Sequence, residues 1–162
     1  MLQKLVEHAE LYRTTVDKLT VVDWVNEKKA SQTYLKQQEA VMAEAGYIKL
    51  VAERLSAAPE KLSLALDIYF RLQALDDKTA ALAAGASRYA GDEMAASLQK
   101  LIDDNSSTRT KLRQYVMDLS INKEKEFAIA ESEAQRCQAE LNRNPLAPIP
   151  PTGPRTKPQE KK

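Results

Sequence analysis

"DDNSSTR", residues 103–109, decides how many helices this chain has. Six of its seven residues are weak helix formers. In one reading the preceding helix stops here, and Asn105 or Ser106 caps a fifth helix. In the other the helix runs through. The apolar spacing favours the second reading. Leu98, Leu101 and Ile102 precede the stretch, and Leu112, Tyr115, Val116 and Leu119 follow it. The two groups stay in phase if Asn105 and Thr108 take core positions. One helix from 92 to about 143 is therefore expected, with room for a bend at 103–109. At about 1.5 Å per residue it would be roughly 75 Å long. That is longer than its partners, so its end is expected to project beyond the bundle.

The same spacing continues downstream through Phe127, Ala130, Ala134, Cys137 and Leu141, with heptad character after Phe127. Upstream, "YAGDEM" at 89–94 marks a turn. Gly91 can take the left-handed conformation that closes a helix, and Asp92 can cap the next one. Before it lies a helix from about 59 to 89, with the stripe Leu62, Leu66, Tyr69, Leu72, Leu75, Thr79, Leu82, Ala86 and Tyr89. Pro59 ends the previous helix and suits the first turn of this one.

A helix over 31–57 precedes that break, with Ser31 as its N-cap. Its stripe is Leu35, Gln38, Met42, Ala45, Ile48, Ala52 and Leu55, and Gly46 inside it reads as a close helix contact. Residues 2–19 form the first helix, through Leu2, Leu5, Ala9, Tyr12, Val16 and Leu19. Between them, residues 20–31 read as a connection with one or two helical turns. Asp23 is a candidate cap there, and Trp24 is expected to fold over the end of the core. Short connections favour antiparallel neighbours. The expected fold is all-α: an antiparallel up-and-down bundle of about four helices with a long C-terminal helix.

Composition agrees. Apolar residues make up 43% of the 162 and charged ones 29%, while aromatics are only 6%. Helix formers dominate, and β-branched residues are scattered. Residues 1–144 read as the helical domain. Residues 145–162 read as a disordered, Pro-rich basic tail, because six prolines fall within 145–158 and forbid helix and sheet. Within it, Pro151 and Pro154 stand in a P-x-x-P relation beside Arg155, the form of a docking peptide for an aromatic groove.

The net charge of +1 divides into +3 for the tail and −2 for the rest. A near-neutral, well-mixed body does not suggest nucleic-acid binding. No run approaches the roughly 20 apolar residues of a membrane span. No signal-peptide pattern is present. A cytoplasmic setting is the default expectation, with a secreted or periplasmic one open if the chain is a mature or trimmed form.

The chain offers little chemistry. His8 is the lone histidine, so the Glu-x-x-His pairs of a di-iron bundle are missing, and His8 reads as a surface residue. Cys137 is the lone cysteine and cannot form a structural zinc site; on the apolar stripe it reads as a small buried hydrophobe. The four glycines lack phosphate-loop spacing. Asp76–Asp77 and Asp103–Asp104 read as solvated faces. Arg109 and Arg113 read as pairing with acids of their own helix. The tyrosines are expected at the bundle edge with hydroxyls outward.

The expected function is non-enzymatic, with no cofactor: a bundle acting through contact with a protein partner or through self-association. The contact residues are Phe127, Ala130, Ala134, Cys137 and Leu141, with Pro151, Pro154 and Arg155 of the tail. A small-ligand-binding bundle, with a pocket among the tyrosines and Gly46, is the alternative.

Overall fold

The structure, a computed structural model, describes residues 1–143. The tail reading, with Pro151, Pro154 and Arg155, lies outside the described residues. Five helices follow in order: α1 (Leu2–Asp17), α2 (Val21–Asn26), α3 (Thr33–Ala57), α4 (Leu62–Tyr89) and α5 (Asp92–Arg143). There is no strand among the described residues. Met1–Lys123 forms one compact unit, and the residues from Glu124 onward fall in a second, described separately below.

The four long helices run up and down. Glu10 of α1 meets Lys49 of α3 at 2.9 Å, while Val16 meets Gln38. Rising numbers in one helix therefore face falling numbers in the other. Likewise Glu44 of α3 pairs with Arg71 and Lys78 of α4, and Tyr34 touches Gly85. Asp76 of α4 meets Arg109 of α5, and Tyr115 reaches back to the Pro59 carbonyl before α4. The expected antiparallel bundle is present, with α2 as a short turn at the end where α1 gives way to α3.

The buried faces follow the expected stripes along α1 and the later turns of α3 and α4, but at the starts of α3 and α4 the buried face is shifted: Val41 is buried where Leu35 and Met42 are only half-buried. α1 buries Leu5, Ala9, Tyr12 and Val16. α3 buries Val41, Ala45, Ile48, Val51, Ala52 and Leu55. Gln38, half-buried at the top of that stripe, has a capping job. Its Nε2 donates to the Val16 and Leu19 carbonyls at 3.0 and 3.1 Å, satisfying the C-terminal end of α1. In α4 the first two turns bury Ala65 and Ile68, with Leu62, Leu66 and Tyr69 half-buried beside them. α5 runs unbroken through 103–109, with Asn105 and Thr108 buried between Leu101 and Leu112.

Three boundaries differ from expectation. Pro59 does not start α4. It sits at the second position of a turn in which the Lys61 N–H donates to the Ala58 carbonyl at 3.1 Å, a position its fixed φ suits. α4 starts at Leu62, after an extended Lys61. Ser31 lies just outside α3, yet its Oγ still accepts from the Thr33 N–H at 3.2 Å. Asp23 lies in the first turn of α2, whose N-cap is Thr20. At the α4–α5 junction, Gly91 has φ +103° and its N–H donates to the Ala86 carbonyl at 2.8 Å, closing α4 as expected. Asp92 opens α5 and accepts from Ser87 Oγ at 2.8 Å.

Trp24 does fold over the end of the core. It is buried, stacked on Tyr89 with centroids 6.0 Å apart and edge-on to Tyr34 at 6.0 Å; Tyr34 and Tyr89 meet at 5.7 Å. The close contact assigned to Gly46 belongs instead to Gly85. A Cβ at Gly85 would stand 2.5 Å from Tyr34 Cε1, whereas one at Gly46 would meet nothing within 4 Å. Gly85 is what lets the Tyr34 ring lie against α4.

Candidate functional site

Large apolar side chains are exposed at several places, Phe70, Val22 and Met117 among them, but two features concentrate polar or apolar groups. One is buried within Met1–Lys123, and the other lies on the residues after it.

The buried feature centres on Asp76. Helical spacing puts Leu72, Asp76 and Thr79 on one face of α4, so the carboxylate points into the core. Tyr12 of α1 donates its hydroxyl to Oδ1 at 2.7 Å. Asn105 of α5 approaches the same oxygen at 3.4 Å, and Arg109, one turn further on, donates to Oδ2. Asp76 is 5% exposed, so three helices converge on a carboxylate removed from water. Burial pushes its pKa above the ordinary value, and the Tyr12 bond and the Arg109 charge oppose that shift. Burial and the adjacent carboxylate both push the Tyr12 phenol up, so it stays protonated and donates. Both carboxylate oxygens are engaged by donors of the chain itself. The cluster therefore acts as a spacer of fixed geometry, setting the relative heights of α1, α4 and α5. Thr79 completes the polar layer by donating to the Leu75 carbonyl at 2.7 Å.

This overturns three expectations. Asp76 is not on a solvated face. Arg109 pairs across the bundle, not with acids of its own helix. Tyr12 is fully buried with its hydroxyl inward, because an acceptor waits there. The signal was in the sequence: Asp76 sits in phase with Leu72 and Thr79, and Asn105 and Arg109 lie one turn apart. His8 is half-buried, not a plain surface residue, and its Nδ1 is enclosed without a hydrogen-bond partner. Among the described residues no group of three or more His, Cys, Asp or Glu could hold a metal.

Elsewhere Tyr34 and Tyr89 spend their faces on Trp24 and on each other. A recess of about 330 Å³ beside them is lined by Thr20, Asp23, Trp24, Lys28, Tyr89 and Met94, among others. It is at the small end for a ligand site, and its rim carries charges of both signs.

The exposed feature is the last part of α5. Every residue from Glu124 to Arg143 is exposed. Phe127 is 71%, Ile129 61% and Leu141 51% exposed. Cys137 is exposed too, which corrects its reading as a buried hydrophobe: the stripe it shares has nothing packed on it among the described residues. Phe127, Ala130, Ala134, Cys137 and Leu141 lie on one helix within these twenty residues, as the spacing requires. With Phe127 at heptad position a, Ala134 and Leu141 are also a, and Ala130 and Cys137 are d.

The geometry defines a class, an all-α up-and-down bundle whose last helix carries an exposed heptad stripe. No protein-family model, curated protein or solved structure matches the chain. No helix among the described residues is long and apolar enough to cross a membrane.

Proposed function

We propose that this is a non-enzymatic helical-bundle protein that works by protein–protein contact, through the Phe127–Leu141 face of α5. One observation carries the reading: a regular a/d stripe on a helix whose large apolar residues Phe127 and Leu141 stand in water. Apolar stripes of this kind drive helix association, since burial gains about 25 cal/mol for each Å² of apolar surface removed from water.

Site-specific photo-crosslinking tests it. A benzophenone amino acid at Ala130 or Ala134 reports on the stripe; the same group at Ala128 or Ala139 reports on the opposite face of the helix. In cells producing the full chain, protein adducts are expected from the stripe positions and few from the others. Equal yields from both faces, or none from either, would defeat the proposal.

A further inference from the structure

The Phe127–Leu141 stripe has edges, and their charge is one-sided. Heptad positions e and g flank an a/d seam and face the edges of whatever helix packs on it. Here e is Glu124, Glu131 and Gln138, and g is Glu126, Glu133 and Glu140. All five glutamates of 124–143 thus border the seam, and all six flanking residues are exposed. The three cations of this stretch, Lys125, Arg136 and Arg143, fall at outward positions f and c. No flank position of the stripe holds Lys or Arg.

A second copy of the chain would bring the same glutamates. In a parallel pair g faces e of the next heptad, and in an antiparallel pair g faces g and e faces e. Neither arrangement puts a cation opposite Glu131, Glu133 or Glu140. Like charges across such a seam oppose pairing, and opposite charges select the partner. The seam itself is narrow in the middle, with Ala130, Ala134 and Cys137 between Phe127 and Leu141. Small residues there leave room for large apolar side chains from the other helix.

We infer that the occupant of this face is an amphipathic helix of a different protein, with lysine or arginine at its flanks and large apolar residues along its seam. This rests on the contact role assigned to the stripe above and adds the partner's chemistry.

The probes are synthetic helical peptides of about four heptads with Leu and Ile along the seam. One carries Lys at every e and g position, the second carries Glu there, and the third keeps Lys but has Ser and Gln along the seam. Each is titrated against the full chain by fluorescence anisotropy at low and high salt. The Lys-flanked apolar peptide is expected to bind roughly 30-fold or more tighter than the Glu-flanked one at low salt, and the gap should narrow as salt screens the pairs. The E131K/E133K/E140K chain is expected to reverse the preference while unfolding at the same midpoint. The third peptide should bind at least tenfold more weakly than the first, which separates seam docking from mere charge attraction.

Several results overturn the inference. If both apolar peptides bind alike, and the Phe127→Ser/Leu141→Ser chain binds neither, the contact face stands but its partner is not chosen by charge. If the unmodified chain dimerises in sedimentation equilibrium and the same double substitution abolishes the dimer, the occupant is a second copy. If the Lys-flanked peptide binds only when the chain ends at Asn144, the occupant is this chain's own basic tail. If no peptide binds and crosslinking at Ala130 and Ala134 also fails, the contact role itself falls.

Discussion

A single carboxylate shows how one residue can set both register and pH response. Asp76 is held by Tyr12, Asn105 and Arg109 from two other helices. Removing one member of such a cluster leaves its partners buried and unpaired. Arg109 is one-third exposed, so water softens that cost, and Asp76→Ala should lose about 2–3 kcal/mol in urea unfolding. The pH dependence has a defined sign. Burial raises the folded-state pKa of Asp76 above the ordinary 3.8, so the folded chain holds this proton more tightly than the unfolded one. The stability this group contributes is fully present below about pH 4 and is lost as pH rises through the folded pKa. Relative to the Asp76→Asn variant, the natural chain should lose stability as pH rises above about 4. A difference that stays flat or grows would refute this. The glycines give a second residue-scale contrast. Gly46→Ala should stabilise by about 0.5–1 kcal/mol, because a methyl there meets open space in a helix interior. Gly85→Ala should destabilise by about 1–3 kcal/mol, because Tyr34 is boxed in by Trp24 and Tyr89 and cannot yield. Thermal unfolding of the two variants decides both. Neither glycine was legible in the sequence. Which of them meets an aromatic ring depends on how α3 packs on α4, and helical period alone does not encode that.

At the scale of the element, α5 is the clearest case of pattern overriding propensity. Its "DDNSSTR" segment is poor in helix formers, yet packing holds it, with Asn105 and Thr108 inside the core. Hydrogen exchange should show this as a division within one helix. Amides from Leu98 to Val116 should exchange only with global unfolding. Those from Glu124 to Arg143, where every side chain is exposed, should exchange at least tenfold faster. Uniform protection along α5 would contradict that. The long helix was legible because its stripe keeps phase for more than ten turns. The start of α4 was not, because Pro59 is equally at home in a first helical turn and in the Ala58–Lys61 turn it occupies. The exposure of Cys137 is not legible in the sequence for a related reason. Spacing says which residues share a face, but not whether anything covers that face.

At the scale of the molecule, Met1–Lys123 forms a compact unit, and the core it buries draws on all five helices. A chain ending at Lys123 should therefore keep the full chain's cooperative unfolding, with an unfolding free energy changed by less than about 1 kcal/mol, as judged by urea titration followed by circular dichroism. A loss of cooperativity would mean that residues beyond Lys123 belong to the folding unit. The all-α class and the antiparallel order of the long helices were legible from apolar period and short connections. The polar ties between helices were not. Glu44 holds both Arg71, at 3.0 Å, and Lys78, at 2.7 Å, and Arg71 also lies over the Tyr47 ring. Such pairings depend on helix rotation, which emerges only once the four faces are fitted together.

The chain has one tryptophan, and its placement governs what light can report. Trp24, on α2, is buried against α3 and α4, with Tyr34 and Tyr89 as close energy donors. Its emission should be blue-shifted and should shift red only when the α2 end of the bundle loosens. The α2 end of the bundle can therefore be followed by intrinsic fluorescence, without an added label.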